Sequence, residues 1–201
     1  MTFISGVLLL FCALNYGQIW IFLAFLFIGV ISIIAAIKYT VGKTAYGYRG
    51  FGDLFVFIFF GLVGVIGSYI LLTGTFHLLC ILGALYTGLL SCGVLNMNNL
   101  RDYENDKSSN KNTIVVYMGT EKSKIYQYIL LIIAAFSLIG IILFSGDFLL
   151  FISCFPLFFL VKHLFFVKTN NELEKFDSQL KIIALSCFFS CLILMTISII
   201  T

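Results

Sequence analysis

Six stretches of about 20 largely apolar residues dominate this sequence, near residues 19–37, 54–72, 76–97, 125–144, 148–167 and 182–200. Each can cross a hydrocarbon layer about 30 Å thick as an α-helix. Of the 201 residues, 61% are hydrophobic and only 10% charged, and the mean hydropathy is +1.11, which excludes a water-soluble domain. The expected fold is all-α: a polytopic transmembrane helical bundle in which residues 1–201 form one integral-membrane domain.

A seventh apolar run, residues 3–14, ends at the polar turn Asn15-Tyr16-Gly17-Gln18. It is too short to span alone, and it lacks the positive start and small-residue cleavage site of a secretory signal. Since the other runs have normal lengths, the expectation is that a longer amino-terminal part has been lost or lies outside this sequence.

Charge supplies an independent count of crossings. All 12 basic residues fall in or beside three connections: Lys38, Lys43 and Arg49; Arg101, Lys107, Lys111, Lys122 and Lys124; Lys162, Lys168, Lys175 and Lys181. The connections at 15–18, 73–75 and 145–147 carry none. Positive residues near span ends concentrate on the cytoplasmic side, so this alternation predicts about seven serial crossings. It places the amino terminus inside, the carboxyl terminus outside and three long loops together in the cytoplasm, beneath an inner (plasma) membrane. Eight of the nine acidic residues share that side, Asp147 being the exception. The basic residues form no dense run of the kind that binds nucleic acid, so nucleic acid is not an expected partner.

Six cysteines (Cys12, Cys80, Cys92, Cys154, Cys187, Cys191) lie in apolar stretches without CxxC spacing, and are expected to be buried small hydrophobes rather than zinc ligands. His77 and His163 sit at edges of apolar runs, where a side chain with a wet tip is expected.

Chemistry concentrates between Asn96 and Lys124. Asn98, Asp102 and Asp106 are spaced i, i+4, i+8 and share one face if the helix of the fourth run persists. Paired carboxylates beside hydrocarbon call for an offsetting positive charge. Magnesium, which shares its coordination sphere among carboxylates, phosphate oxygens and waters, suits so sparse a set better than calcium. Arg101, Lys107 and Lys111 could hold the phosphate oxygens. The plainer alternative is a solvated loop in which Asp102 pairs with Arg101 or Lys107; the neighbouring amides Asn96, Asn98 and Asn99 favour a functional cluster.

The loop from Lys38 to Asp53 mixes Tyr39, Tyr46 and Tyr48 with Lys43, Arg49 and glycines at 42, 47, 50 and 52, which permit tight backbone near a ligand. Its tyrosines serve equally well as interfacial belt aromatics. Gly42-Lys43-Thr44 is no P-loop, because Ile37 stands where the upstream glycine is required. The third loop, Val167–Gln179, reads as an ordinary solvated connection. The 23 phenylalanines could line an isoprenoid tunnel or face lipid.

The stretch Val94-Leu95-Asn96-Met97-Asn98-Asn99-Leu100-Arg101-Asp102, continuing through Asn105-Asp106 to Lys111-Asn112-Thr113 and Gly119, resembles the second aspartate-rich region of the UbiA superfamily of intramembrane prenyltransferases. Within that superfamily it is most similar to the 1,4-dihydroxy-2-naphthoate polyprenyltransferases of menaquinone biosynthesis. Tyr46-Gly47-Tyr48-Arg49-Gly50-Phe51-Gly52-Asp53 looks like a second family segment, and Tyr39 with Lys43 fits the YxxxK pattern. The similarity covers essentially all 201 residues, aligned with the last seven of the family's nine spans. The family's first motif, NDxxD, is absent, since Asn105-Asp106 is followed by Lys-Ser-Ser-Asn. Tyr117 also departs, standing where the family commonly has arginine.

The resemblance implies transfer of a polyprenyl group from a polyprenyl diphosphate to the aromatic acceptor 1,4-dihydroxy-2-naphthoate, with loss of diphosphate and carbon dioxide. It implies Mg2+ on Asp102 and Asp106 as catalytic metal ligands. Substrate contacts fall to Tyr39, Lys43, Tyr48, Arg49, Asn98, Asn99, Arg101 and Lys111. A non-catalytic relic that keeps the fold but lacks half the metal site is the competing expectation. A small transporter fits less well, for want of a midplane charge or a pair of interrupted helices.

Overall fold

The computed structural model describes residues 2–13, 19–40 and 45–201, and in them the chain is a bundle of helices without a strand. In chain order these are α1 (Thr2–Ala13), α2 (Ile19–Thr40), α3 (Gly52–Thr73), α4 (Leu79–Arg101), α5 (Tyr103–Ser108), α6 (Ile114–Met118), α7 (Thr120–Ser145), α8 (Phe148–Thr169) and α9 (Leu173–Ile200). Six of them, α2, α3, α4, α7, α8 and α9, are long and apolar enough to cross a membrane, so the protein is a multi-pass membrane protein. At 12 residues α1 falls short of a span, as the length of its apolar run predicts.

Helix α4 is the axis of the bundle, packed by α3 on one side, α7 on another and α9 on a third. Apolar area alone cannot draw helices together in lipid, so association depends on close packing and on hydrogen bonds. The sequence of α4 provides for both. Ala84, Gly88 and Cys92 recur every four residues on one face, and Gly61 of α3 comes against it so closely that an added Cβ would stand 2.7 Å from the Ala84 carbonyl and 3.0 Å from Gly88 Cα. On the α7 side, a Cβ at Gly93 would meet Leu131 at 3.0 Å and Gln127 at 3.2 Å. Around α4 the apolar core is completed by Tyr86, Leu90, Met97 and Leu100 with Leu131, Leu138, Leu160 and Ile183. Trp20, Phe27, Phe60, Phe144, Phe165 and Phe188 point outward, so many of the aromatic side chains face lipid.

The three basic connections meet at one end of the bundle. The Asn112 backbone N–H donates to the Tyr48 carbonyl at 3.1 Å, Arg101 Nη1 donates to Asp177 Oδ1 at 2.6 Å, and Lys124 Nζ donates to Asn171 Oδ1 at 2.7 Å. The alternation of charge along the sequence thus corresponds to one polar face.

Three sequence expectations need correction. His163 is fully buried between helices, with no wet tip, whereas His77 is exposed as expected. Among the cysteines only Cys80 and Cys92 are buried; Cys154, Cys187 and Cys191 are half-buried and Cys12 is exposed, because in a membrane chain an apolar run marks contact with lipid as readily as with core. The third loop is more than a solvated connection: Phe176 is buried in the core while Asn171 and Asp177 bind Lys124 and Arg101.

Candidate functional site

The polar stripe forms where α4 runs out of hydrocarbon. The helix stops at Arg101 because Asp102 adopts φ −91° and ψ 8°, but the i to i+4 hydrogen bonds continue through it, from Asp102 N–H to Asn98 O at 3.0 Å and from Asp106 N–H to Asp102 O at 2.8 Å. The expected order Asn98, Asp102, Asp106 along one stripe therefore survives a break between α4 and α5.

Each carboxylate is held by a cation. Arg101 lies side-on to Asp102, with Nε 2.8 Å from Oδ1 and Nη2 2.9 Å from Oδ2; the same guanidinium donates to Asn98 Oδ1 at 2.8 Å and to Asp177. Four of the five N–H groups of Arg101 are thus engaged, which makes it a tie between α4 and α9 more than a free anion ligand. Asp106 is 3% exposed and receives Lys111 Nζ on both oxygens at 3.0 Å. Lys107 lies over the Tyr103 ring, 5.7 Å from its centroid, and pairs with neither aspartate. The hydrogen bond from Arg101 holds the Asp102 carboxyl below the usual carboxylate range, with a smaller contribution from the charge of Lys111.

A second cluster of expected residues sits alongside. Gly50, at φ +80°, turns the chain so that its backbone passes the Asn112 carbonyl, bringing Tyr48 and Arg49 beside the loop that carries Lys111. Tyr48 and Arg49 are exposed, and Arg49 makes no ion pair among the described residues. Tyr46 hydroxyl donates to the Ala35 carbonyl at 2.8 Å; its ring stacks on Phe55 at 3.9 Å and meets Tyr39 edge-on at 5.4 Å. Tyr39 and Tyr46 are thus built into the wall rather than free in a belt. Asn99 is buried on α4. Lys43 lies outside the described residues.

Two cavities adjoin these residues. One, of about 540 Å³, is lined by Val56 and Phe60 of α3, Leu95 and Asn98 of α4, and Leu180 and Cys187 of α9. It is largely apolar, with Asn98 and Ser91 as its polar lining side chains. The other, of about 510 Å³, shares Val56 and Phe60 with it and is lined by Tyr39, Tyr46, Phe55 and Phe59. No group of three or more His, Cys, Asp or Glu side chains stands close enough to hold a metal among the described residues.

Sequence reasoning missed Asp177, and it missed that Asn96, Gln127, His163 and Gln179 are buried and joined to one another. Asp177 carried a weak signal, as an acidic residue opening an apolar helix in a basic loop. The other four are separated by 31, 36 and 16 residues, so no local pattern exposes them.

Residues 1–197 match the model of the UbiA prenyltransferase family. The chain is 40% identical over 190 residues to a protein of Haemophilus influenzae named 1,4-dihydroxy-2-naphthoate octaprenyltransferase, a match covering 92% of this chain and 60% of that protein. Proteins of the same name from Escherichia coli and Mycobacterium tuberculosis are 48% identical over 110 residues and 41% identical over 104 residues, covering 55% and 51% of this chain and 36% of each relative. The chain thus spans about three fifths of the first relative's length and less of the others'. No solved structure matches it. A family match over nearly the whole chain means that this chain belongs to the UbiA prenyltransferase family.

Proposed function

We propose that this chain carries the diphosphate-binding and lipid-binding parts of a magnesium-dependent enzyme that transfers a polyprenyl group to 1,4-dihydroxy-2-naphthoate. The names of its relatives support the acceptor and the reaction. The observation that carries the reading is the position of Asn98: it lines the 540 Å³ apolar cavity and accepts from the Arg101 that grips Asp102. An amphiphile with a diphosphate head and an isoprenoid tail needs that adjacency of charge and apolar space.

Magnesium suits the donor set. Two carboxylates on one stripe are too few to chelate a metal alone, but magnesium takes one or two carboxylates plus phosphate oxygens and waters. Asp102 and Asp106 would hold it. Both are already faced by cations, so a bound magnesium ion would take over the neutralisation that Arg101 and Lys111 now provide and would free those cations for diphosphate oxygens. The ion supplies positive charge to the leaving diphosphate. Lys111, with one donor to spare, and the exposed Arg49 bind anionic oxygens of donor or acceptor. Tyr39, Tyr46, Phe55 and Phe59 exclude water and present aromatic faces to positive charge developing at the allylic carbon, each worth about 0.5–2 kcal/mol. In the balanced reaction the allylic C–O bond breaks as a C–C bond forms at the ring carbon bearing the carboxyl group. That carbon then releases carbon dioxide, leaving demethylmenaquinol, the reduced form of demethylmenaquinone. The polar face carrying these residues is assigned to the cytoplasm, in the plasma membrane, on the distribution of positive charge.

The test is an assay in membranes with polyprenyl diphosphate, the naphthoate and magnesium. Formation of prenylated naphthoquinol with release of diphosphate is the expected result. Its absence with every chain length of donor would overturn the reading.

A further inference from the structure

A chain of hydrogen bonds crosses the bundle beneath the candidate site. Asn96 Nδ2 donates to the Ser123 carbonyl at 3.0 Å and to Gln127 Oε1 at 2.9 Å; Gln127 Nε2 faces His163 Nε2 at 3.1 Å; His163 Nδ1 faces Gln179 Oε1 at 2.9 Å; Gln179 Nε2 donates to Ser178 Oγ at 3.1 Å. The direction of each bond follows from the first. Because Gln127 uses its carbonyl oxygen to accept from Asn96, its amide must donate to His163, so His163 Nε2 is the acceptor and the ring proton is on Nδ1, aimed at Gln179. Four helices, α4, α7, α8 and α9, contribute one side chain each, all buried. Polar groups so deep in a membrane protein are costly unless they are joined, as these are apart from one unpartnered acceptor, Asn96 Oδ1.

The two ends of this chain are the two helix ends that form the site. Asn96 lies five positions before Arg101 on α4, and Gln179 lies two positions after Asp177 near the start of α9. Arg101 joins those same helix ends one level nearer the surface, through Asp177. That pair is exposed on the Asp177 side, where an ion pair by itself has little power to place a helix. The buried chain is the fixed part.

We propose that His163 is a positioning residue: through Gln179 and Gln127 it sets the start of α9 against the end of α4 so that Asp177 reaches Arg101. With Asp177 as a second counter-ion, Arg101 can remain in place when Asp102 turns an oxygen toward a metal-bound diphosphate. The placement of α9 stands on the hydrogen bonds alone, whereas its consequence for donor binding rests on the proposed function.

Two measurements separate these levels. In the first, Arg101→Cys with Asp177→Cys is treated with a short bifunctional thiol reagent, compared with the parent chain, and then repeated with His163→Phe added. The cross-link should form efficiently with His163 present and fall at least about fivefold without it; equal yields would overturn the proposal whether or not the protein is active. In the second, His163→Phe should raise the half-saturating magnesium and donor concentrations about tenfold with a smaller change in kcat. Asp177→Asn added to it should have no further effect, because the contact is already lost. Multiplying effects in the double variant, or a loss confined to thermal stability, would show a purely structural histidine. Where His163→Phe does not accumulate as a folded protein, Gln179→Met, which removes only the α9 end of the chain, replaces it in both measurements.

Discussion

The protein neutralises polar groups in two ways within a few residues of each other. At the membrane face, Asp102 and Asp106 are held by Arg101 and Lys111, the first pair partly reached by solvent and the second reached only on the Lys111 side. One turn deeper, Asn96, Gln127, His163 and Gln179 form a dry chain of amides and an imidazole. The Arg101–Asp102 pair can be exchanged for another cation or anion at modest cost, since both partners keep access to water. The buried chain has no such alternative, because a broken link leaves an unsatisfied donor or acceptor among apolar helices. One cluster is suited to receiving a ligand, and the other to holding the helices that receive it.

Substitutions should separate the two. Asp102→Asn should lower prenyl transfer by about 100-fold to 1000-fold, the scale of losing one electrostatic contact to a developing charge, while leaving the thermal midpoint of the detergent-solubilised protein nearly unchanged; a turnover comparable to wild type would remove Asp102 from the metal site. Lys111→Met should destabilise the fold by about 1–3 kcal/mol, because Asp106 is buried and loses both of its hydrogen bonds, and Asp106→Asn in the same chain should recover much of it in thermal unfolding. This pair marks where the comparison is least sharp, since Asp106 is charged yet as dry as the deeper chain. Gln127→Leu should cost about 1–2 kcal/mol by the same assay, through the amides and imidazole it strands.

The smallest effect concerns acid. The carboxyl of Asp102 lies below its ordinary range because Arg101 hydrogen-bonds the charged form. Its folded-state value is thus lower than the unfolded value of about 3.9. The contribution is therefore fully present above that pH and lost as pH falls through the lowered folded value. For so open a pair it is about 0.5 kcal/mol. Unfolding measured against pH should show this acid-side loss in wild type and not in Asp102→Asn.

The ion-paired cluster was legible in the sequence, and the buried chain was not. Charged residues in a chain that is 10% charged stand out, their spacing of four survives the break at Asp102, and their positions in alternate loops predict the polar face. The six full spans followed from length alone. What sequence could not give was partnership. Arg101 read as a phosphate ligand, yet most of its donors are spent on Asn98, Asp102 and Asp177, the last of them 76 residues away. His163 read as an edge residue of its apolar run, yet the rotation of α8 turns it inward between Gln127 and Gln179. In lipid, inward and outward faces are both apolar, so the period that distinguishes them in soluble helices is weak here.

The most direct test of the central claim is manganese binding, read by electron paramagnetic resonance, on the purified chain in nanodiscs with and without a polyprenyl diphosphate. The account predicts little bound metal without the lipid, because two carboxylates already paired with cations make a poor chelate, and stoichiometric uptake with it. Asp102→Asn with Asp106→Asn should abolish that uptake. Diphosphate-dependent uptake that survives the double substitution would contradict the assignment of these aspartates as the metal site.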